Sequence, residues 1–472
     1  MIPFLASVAL LILGYFVYGK IIEKIFGIQP ERATPAQTRA DGVDFVQLPT
    51  WKVFMIQLLD IAGIGPIFGP IMGALWGPQA LLWIVVGSIF AGGVHDYFAG
   101  MLSIRFGGEN LPTIVGRTMG RVFRHIMLVF SLLLLIFVGV VFVLSPANML
   151  NQLSSISTSI WIAAIFGYYF IATILPIDKI IGRFYPFLGI LLLFMTFGIF
   201  FGLVLGPNPI LPDLNFSAEH PKELPLWPLL FITLSCGAIS GFHSTQSPLM
   251  SRCLNNERNG RRVFYGAMIA EGIIALIWCT VGLSLYEPAA LQAMVDEGTA
   301  ALVVNDTSRQ LLGVVGGFLA ILGVIVLPIT SGDTAFRSAR LIASEALHLE
   351  QKTSYKRLYL AIPLFAVGFV LSQLEFGVVW RYFGWSNQTL AMLVLWSSAV
   401  WLALHHKVHW IASLPATVLT AVSVTFICYN EIGFSINYQR SVVIGIIAAI
   451  GLLITFVVWN HQKRRHDGTA NS

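Results

Sequence analysis

The sequence has few charged residues for its length. Only 11% of its 472 residues are Asp, Glu, Lys or Arg, against about 25% in an average soluble domain. The mean hydropathy is +0.79, which excludes a water-soluble globular protein and indicates a polytopic membrane protein. There are four cysteines, without C-x-x-C or Cys/His ligand spacing, so we expect no metal site and no cofactor. The expected partners are a small-molecule substrate and the lipid bilayer, not nucleic acid, and the oligomeric state stays open.

Long apolar runs fill most of the chain. About thirteen of them approach the length that a helix needs to cross about 30 Å of hydrocarbon. Barrel strands would be shorter and would alternate between apolar and polar residues, so an all-α fold is predicted. The runs cover residues 2–26, 52–76, 79–103, 122–145, 159–177, 184–206, 226–250, 262–286, 310–332, 357–375, 377–405, 408–429 and 441–459.

Basic residues favour one orientation of these spans. If the N-terminus lies outside, most of the 28 Lys and Arg residues fall in inside loops, which is the bias of cytoplasmic loops. The C-terminus is then cytoplasmic. Because Lys20 and Lys24 follow the first apolar run instead of preceding it, we expect an uncleaved span and not a signal peptide. The inside stretch 333–349 is predicted to be an amphipathic surface helix.

Residues 60–70 interrupt the second apolar run. They read D-I-A-G-I-G-P-I-F-G-P, with a carboxylate followed by three glycines and two prolines. Proline removes a backbone donor and glycine adds conformational freedom, so a regular helix is disfavoured here. Irregular backbone at membrane depth is tolerated only where it is buried in protein or lines a cavity. We therefore predict a broken helix whose break forms part of a binding site.

A second break follows five spans later, at residues 237–248, G-A-I-S-G-F-H-S-T-Q-S-P. Two interrupted helices in corresponding positions, entering from opposite sides, indicate an inverted-repeat transporter with a site at mid-membrane. The predicted repeats are residues 51–206 and 226–405, with five helices each. Residues 1–50 would add one helix and a cytoplasmic loop, and residues 406–472 two helices and a cytoplasmic tail. The alternative is that both breaks are close-packing sites for neighbouring helices.

The two breaks offer groups for both an anion and a cation. Helix N-termini present free N–H groups to an anion, while unwound carbonyls and hydroxyls can bind a cation. This chemistry suits a solute with a carboxylate that moves together with H⁺ or Na⁺. The predicted substrate-binding residues are Gly63, Ile64, Gly65, Pro66, Ser240, Gly241, His243, Ser244, Thr245, Gln246, Trp385 and Asn387.

Ionisable residues inside apolar runs are rare and usually functional. Asp60, His243 and Asp96 are predicted to handle the coupling proton, with Asp60 and His243 facing each other where the breaks meet. Asp60 could instead cap a half-helix, and His243 could be a structural hydrogen-bonding residue. Whether His95, Asp96 and Glu271 are functional or structural stays open. A sodium site would use the carbonyls of Ala62 and Ile64 with Thr330, Ser331 and Asp333.

Five stretches together resemble the carbon-starvation protein (CstA) family: residues 61–70, 90–96, 237–243, 331–340 and 384–391. The resemblance implies a bacterial inner-membrane secondary transporter of the amino-acid/polyamine/organocation superfamily, with the LeuT-like 5+5 inverted repeat. It also implies uptake of pyruvate or short peptides, the pyruvate carriers being proton-coupled. The chain departs from the family in being shorter and in reading S-T-Q-S-P after G-F-H.

The predicted function is secondary active import of a small carboxylate-bearing nutrient, coupled to a cation gradient, with H⁺ preferred, by alternating access. The substrate could be a short peptide, pyruvate or an amino acid. A Na⁺ symporter with the same site, a channel and a nutrient sensor are the alternatives. A channel would need a continuous polar lining that most spans lack. An enzyme has less support, because nothing resembles a metal ligand set or a nucleophile–base pair.

Overall fold

The structure, a computed structural model, describes residues 1–174, 181–211, 215–298, 300–351, 353–374 and 376–470. Within these ranges all regular structure is helical, which confirms the predicted all-α fold. Nine helices of the described chain are long and apolar enough to cross a membrane, or ten if the bent pair Thr50–Ile61 and Gly65–Trp76 is one span. This is a multi-pass membrane protein, and the count of thirteen spans stays a prediction.

The first half of the chain contains the first break. A three-residue turn at Ala74–Trp76 extends the helix that follows this break, and a π-helical turn at Ser88–Gly92 joins the next two helices. The helices are α1 (Ile2–Phe16), α2 (Tyr18–Phe26), α3 (Pro35–Thr38), α4 (Thr50–Ile61), α5 (Gly65–Gly73), α6 (Gln79–Gly87), α7 (Gly93–Arg105), α8 (Leu111–Met119), α9 (Arg121–Leu153), α10 (Thr158–Ile174) and α11 (Ile181–Leu205).

The second half contains the second break and a similar irregularity. A π-helical turn at Arg261–Tyr265 again follows the broken helix, and Gly313, with φ 67°, kinks the long helix α16. The prediction of two inverted five-helix repeats remains open. The helices are α12 (Leu226–Thr233), α13 (Gly241–Ser251), α14 (Gly266–Leu285), α15 (Pro288–Gly298), α16 (Ala300–Ala346), α17 (Ser354–Leu371), α18 (Phe376–Leu404), α19 (Trp410–Tyr429) and α20 (Tyr438–Ala470).

The two breaks lie against each other in the centre of the molecule. A Cβ atom added to Gly65, the first residue of α5, would lie 2.3 Å from Cβ of Cys236, in the unwound segment 234–240 that forms the second break between α12 and α13. One turn later, a Cβ atom on Gly69 would lie 2.6 Å from the carbonyl oxygen of Thr233. Glycine is therefore required for this approach. The packing brings both irregular segments into one buried region.

The stretch 333–349 continues the preceding span, as expected for the predicted surface helix, but differs from the prediction in its burial. Its first part continues α16, and the side chains of Arg337 and Arg340 are completely buried. The Arg337 guanidinium lies 3.3 Å from the carboxylate of Asp44, which comes from the irregular segment between α3 and α4. A pattern of apolar and basic residues predicts a solvated face. Here the irregular segment between α3 and α4 covers that face, and its Asp44 supplies the negative charge that pairs with Arg337.

Candidate functional site

Asn387, on α18, holds the unwound segment between α12 and α13. Its Oδ1 accepts hydrogen bonds from the Ser240 hydroxyl at 3.0 Å and from the backbone N–H of Phe242 at 2.7 Å. Its Nδ2 lies 3.4 Å from the carbonyl oxygen of Ser235 and 3.2 Å from Sγ of Cys236. Since buried backbone groups need partners, this one amide stabilises both ends of the break. It also occupies one of the N–H groups that the sequence assigns to substrate.

The start of α13 packs directly on the backbone of α18. A Cβ atom on Gly241 would lie 2.2 Å from the carbonyl oxygen of Asn387 and 2.6 Å from the backbone nitrogen of Ala391. Because backbone atoms cannot move aside as a flexible side chain can, only glycine fits at this position. The residue predicted to bind substrate thus has a packing function as well.

The first break is a short turn at Ala62–Ile64. Ala62 has φ −81° and ψ 63°, and the N–H of Gly63 bonds to the carbonyl of Ile61 at 2.9 Å, the geometry of an inverse γ-turn. Helix α5 then begins at Gly65, with a proline in its first turn, where no N–H is lost from the helix. The Ile64 carbonyl already accepts two helical hydrogen bonds, so it is a less available cation ligand than predicted.

Asp60 is fully buried near the end of α4. Within the described chain neither of its carboxylate oxygens makes a hydrogen bond. Its electrostatic neighbours are Asp333 and Thr334, both on α16, and Arg337 one turn further on. A buried carboxylate without donors is costly when charged, so this site is suited to take up a proton or a small cation.

The two hydroxyls predicted for a sodium site bond to backbone. Thr330 donates to the carbonyl of Leu327, on its own helix, at 2.8 Å. Ser331 donates to the carbonyl of Leu59 at 2.8 Å and thereby ties α16 to the end of α4. A hydroxyl that donates to a carbonyl keeps its lone pairs. The Ser331 oxygen could still accept a cation, but both hydroxyls now have a structural function that restricts their position.

His243 lies between two buried carboxylates. Its Nδ1 is 2.9 Å from Oδ2 of Asp96, on α7, and its Nε2 is 3.2 Å from Oε2 of Glu271, on α14. The other Asp96 oxygen, Oδ1, lies 2.7 Å from Nδ1 of His95. The side chains of these four residues are at most 1% exposed. We call Glu271, His243, Asp96 and His95 the acid–histidine chain.

The acid–histidine chain lies between three helices, and the contacts that its side chains can make depend on how many protons it holds. Neutral imidazole has one N–H, and so His243 can donate to only one of its two carboxylates. The doubly protonated ring pairs with both carboxylates: Nδ1 hydrogen-bonds to Asp96, and Nε2 makes a charge contact with Glu271 at 3.2 Å that does not have hydrogen-bond geometry. Adding or removing a single proton thus changes the contacts of the helix that follows the second break.

The predicted pairing of Asp60 with His243 is replaced by two separate clusters. Asp60, at the end of α4, lies against α16, whereas His243, in the first turn of α13, is directed at α7 and α14. The breaks do meet, but at Gly65 and Cys236. Side-chain direction at the helix ends, which spacing along the chain does not specify, separates the two ionisable groups.

The other predicted substrate residues of α13 mostly bond to their own helix. Ser244 donates to the carbonyl of Gly241, and Thr245 to that of Phe242, both at 2.6 Å. Gln246 donates to the Thr245 hydroxyl at 3.0 Å. Hydroxyls in membrane helices commonly make such bonds. These polar groups are buried beside the break but are engaged locally.

Trp385 lies two residues before Asn387 but does not point into the break. Its indole N–H donates to the carbonyl of Ser423, on α19, at 3.3 Å, and its ring packs edge-on against Phe130, with the centroids 5.5 Å apart. The ring therefore joins α18 to α19 and α9. The predicted role as a wall of the substrate chamber has no support in these contacts.

A cavity of about 490 Å³ lies where α12, α18 and α19 converge. Its floor includes Ile232, Thr233 and Gly384, the last only three residues from Asn387. We call it the aromatic vestibule. None of the predicted substrate residues lines it, because its walls come from helix ends far apart in the sequence. The lining residues are Trp76, Leu224, Leu229, Ile232, Thr233, Trp380, Arg381, Gly384, Phe426, Tyr429, Asn430 and Glu431.

Solved structures support the fold. A manganese transporter from Eremococcus coleocola superposes with a TM-score of 0.57 at 15% sequence identity, covering 90% of this chain and 99% of that one. Similarity at this level of identity concerns the fold alone.

Sequence relatives are transporters and membrane proteins. An uncharacterized membrane protein of Haemophilus influenzae is 47% identical over 64% of this chain and 96% of its own length. The peptide transporter CstA of Escherichia coli is 25% identical over 89% of this chain and 79% of its own length. The pyruvate/proton symporter BtsT of the same organism is 28% identical over 61% of this chain and 49% of its own length.

The sequence matches the family model described as "Carbon starvation protein CstA" over residues 1–160 and 143–310. These segments make up more than half of the chain and contain the first break, the second break and the acid–histidine chain. The resemblance seen in the short motifs is thereby confirmed: the chain belongs to the carbon starvation protein CstA family.

Proposed function

We propose that this protein is a proton-coupled importer of a small carboxylate-bearing nutrient, working by alternating access around the two breaks. The observation that carries the proposal is the position of His243, in the first turn after the second break and between the carboxylates of Asp96 and Glu271. The names of the relatives, peptide transporters and a pyruvate/proton symporter, support transport, and the second supports the proton.

Proton uptake by His243 is proposed to hold the half-helix α13 in place against α7 and α14. When His243 is doubly protonated, it pairs with both carboxylates and α13 is held against these helices. Loss of the proton leaves a lone pair on one ring nitrogen of His243, and in either tautomer this lone pair faces one of the two buried carboxylates, which is unfavourable. Movement of α13 that rehydrates this carboxylate relieves the cost. Proton transfer is thus linked to the position of a broken helix, as alternating access requires.

The substrate carboxylate is proposed to bind chiefly at the first break. The N-terminus of α5, at residues 63–66, carries the positive end of a helix dipole. At the second break Asn387 already accepts from the N–H of Phe242, so α13 has fewer donors left. Residues 240–246 would then border the site, and His243 would couple substrate binding there to uptake or release of the proton.

A proton is preferred to sodium as the coupling ion. Sodium needs several free oxygen ligands at once, whereas the Ile64 carbonyl already accepts two hydrogen bonds and the Thr330 and Ser331 hydroxyls are fixed on backbone. Asp60 and Asp333 form the strongest alternative site, because the oxygens of Asp60 have no donors in the described chain. We place the protein in a bacterial inner membrane, with the N-terminus outside and the C-terminus in the cytoplasm.

Transport by purified protein in proteoliposomes tests the proposal. An imposed inward proton gradient should drive accumulation of pyruvate or of a dipeptide such as Ala-Ala above the external concentration, and a sodium gradient alone should not. His243→Gln should abolish accumulation, while His125→Gln, at an exposed position of α9, should not. Saturable binding without flux under any gradient would contradict transport, and accumulation driven only by sodium would contradict the choice of ion.

A further inference from the structure

The aromatic vestibule contains one pair of opposite charges. Nη1 of Arg381, on α18, lies 3.8 Å from Oε2 of Glu431, just beyond α19, and the two side chains are 45% and 87% exposed. This separation is too long for a direct hydrogen bond. An exposed ion pair of this kind contributes little to stability. Both charges therefore remain available to a ligand in the cavity.

The walls around this pair are fixed and apolar. The indole N–H of Trp76 donates to the carbonyl of Leu224 at 3.2 Å, which holds the ring at the end of the helix that follows the first break. Tyr429 and Trp380 contribute further rings to the lining. Aromatic walls with a few placed polar groups are typical of small-molecule sites. The face of an aromatic ring in the lining can also attract an ammonium group.

The cavity is larger than the smallest candidate substrate requires. Its volume of about 490 Å³ lies within the range of about 300–1,000 Å³ that is usual for ligand pockets. Pyruvate would leave most of it empty and carries no cation to meet Glu431. A short peptide would fill it better and has a carboxylate, an ammonium group and apolar side chains.

The position of the aromatic vestibule connects it with the breaks. Its lining comes from the turn that follows α5, from α12 and the segment before it, from the first part of α18 and from the end of α19. The charge distribution predicts that each of these spans begins or ends on the outer side. The floor at Thr233 and Gly384 lies next to the second break and close to Asn387. A ligand held here would stand at the outer mouth of the predicted site.

We propose that the aromatic vestibule is a capture site for zwitterionic short peptides, in which Arg381 binds the carboxylate and Glu431 binds the α-ammonium group. The proposal rests on the proposed transport function and adds a specificity step to it. Selection occurs at this outer site before the substrate reaches the two breaks. Compounds with a carboxylate but no ammonium group engage only half of the pair.

Three compounds separate the two charges: Ala-Ala, its N-acetyl derivative and pyruvate. Equilibrium binding to purified protein and initial uptake rates would be measured for wild type, Arg381→Gln and Glu431→Gln. Glu431→Gln should weaken Ala-Ala binding about tenfold, the effect of one charge-assisted hydrogen bond, and leave the other two compounds unchanged. Arg381→Gln should weaken binding of all three compounds at this site, since each has a carboxylate. Arg440→Gln and Glu297→Gln, exposed at other predicted outer positions, are the matched controls.

The outcomes distinguish this proposal from the transport function itself. If wild type accumulates pyruvate but neither binds nor transports Ala-Ala, the capture site is wrong and the transporter stands. If no compound accumulates but Glu431→Gln still weakens Ala-Ala binding alone, the capture site stands and transport is wrong. Equal effects of Glu431→Gln on Ala-Ala and its acetyl derivative, or no effect of either substitution, would overturn the capture site.

Discussion

Nε2 of His243 lies 3.2 Å from Oε2 of Glu271, in a place that water does not reach. Because the other ring nitrogen is directed at Asp96, this contact makes His243 a bridge between two carboxylates and not a member of a simple pair. Buried charges are stable only when they are paired and hydrogen-bonded. The number of protons on the bridge therefore matters more than it would at an exposed site.

Glu271→Gln should uncouple transport from the proton gradient. The amide keeps the size of the side chain but removes one of the two negative charges that favour a protonated His243. Accumulation under a proton gradient should fall at least about tenfold, while exchange of internal for external substrate stays within roughly twofold, as expected when only the driven step is lost. Loss of accumulation and exchange together would show that Glu271 is structural, and Glu297→Gln is the exposed control.

Asp60→Asn tests the second cluster separately. If Asp60 carries the coupling ion, the amide should abolish gradient-driven accumulation and spare exchange. The amide keeps one oxygen that can accept from the neighbouring Thr334 hydroxyl, so the substitution removes the charge and leaves an acceptor in place. Normal accumulation by the variant, with normal thermal stability, would assign coupling to the acid–histidine chain alone. Asp41→Asn is no suitable control, because Asp41 accepts three backbone hydrogen bonds in its own loop.

The breaks themselves could be predicted from the sequence, and so could their approach. Glycine and proline inside an apolar run have direct backbone consequences, and residues 60–70 do contain the first interruption. The second lies at residues 234–240, so the predicted stretch 237–248 covers only its end and continues into helix α13. The sequence also singles out Asn387 as a buried amide that needs partners. That it would occupy the N-terminus of α13, instead of leaving it to substrate, depends on how α18 packs.

Side-chain direction and helix convergence could not be predicted from the sequence. Asp60 and His243 are both at breaks, yet small differences in position send them to different neighbours. Glu271 is conspicuous as a charge in an apolar span. It lies 28 residues after His243 in the sequence, and this spacing does not predict that the two side chains meet. The aromatic vestibule is formed by residues from four helix ends, and such a surface exists only after packing.

Gly241→Ala should destabilise the protein or prevent its folding. The added methyl group would meet backbone atoms of α18 at 2.2 and 2.6 Å, which cannot be relieved by a rotamer change. A loss of about 3 kcal/mol or more is expected, at the upper end of overpacking, visible as a lower melting temperature in detergent. Gly451→Ala is the control, since no atom lies within 4 Å of its added Cβ. Equal stability of the two variants would contradict the close packing of α13 on α18.

The ion pair of Asp44 is expected to stabilise the packing of the irregular segment between α3 and α4 against α16. Burial alone would raise the pKa of the Asp44 carboxyl, but Arg340 and Arg337 outweigh this, so the pKa lies below its ordinary value of 3.8. A lowered pKa means that the ion pair stabilises the fold above the ordinary value and is lost only as the pH falls through the folded value. Between about pH 5 and pH 7 the free energy of unfolding of the wild type should therefore not change through titration of Asp44.

Asp44→Asn should loosen this segment at every pH in that interval. Removing one partner of a buried ion pair costs about 3–5 kcal/mol, and here the carboxylate that faces the buried guanidinium of Arg337 at 3.3 Å is removed. Cys253 provides the measurement, since its carbonyl accepts from the N–H of Leu48 at 3.1 Å and burial raises the pKa of its thiol to about 12. A thiol in this state reacts slowly until it is exposed.

The labelling rate of Cys253 by a maleimide would be compared in protein whose other three cysteines are replaced by alanine. Asp44→Asn should raise the rate at least about tenfold, in proportion to the greater population of the open segment. Glu350→Gln, which removes an exposed pair with Lys356, should leave the rate unchanged. Equal labelling of the two variants, together with equal melting temperatures, would mean that the buried arginines are satisfied without Asp44.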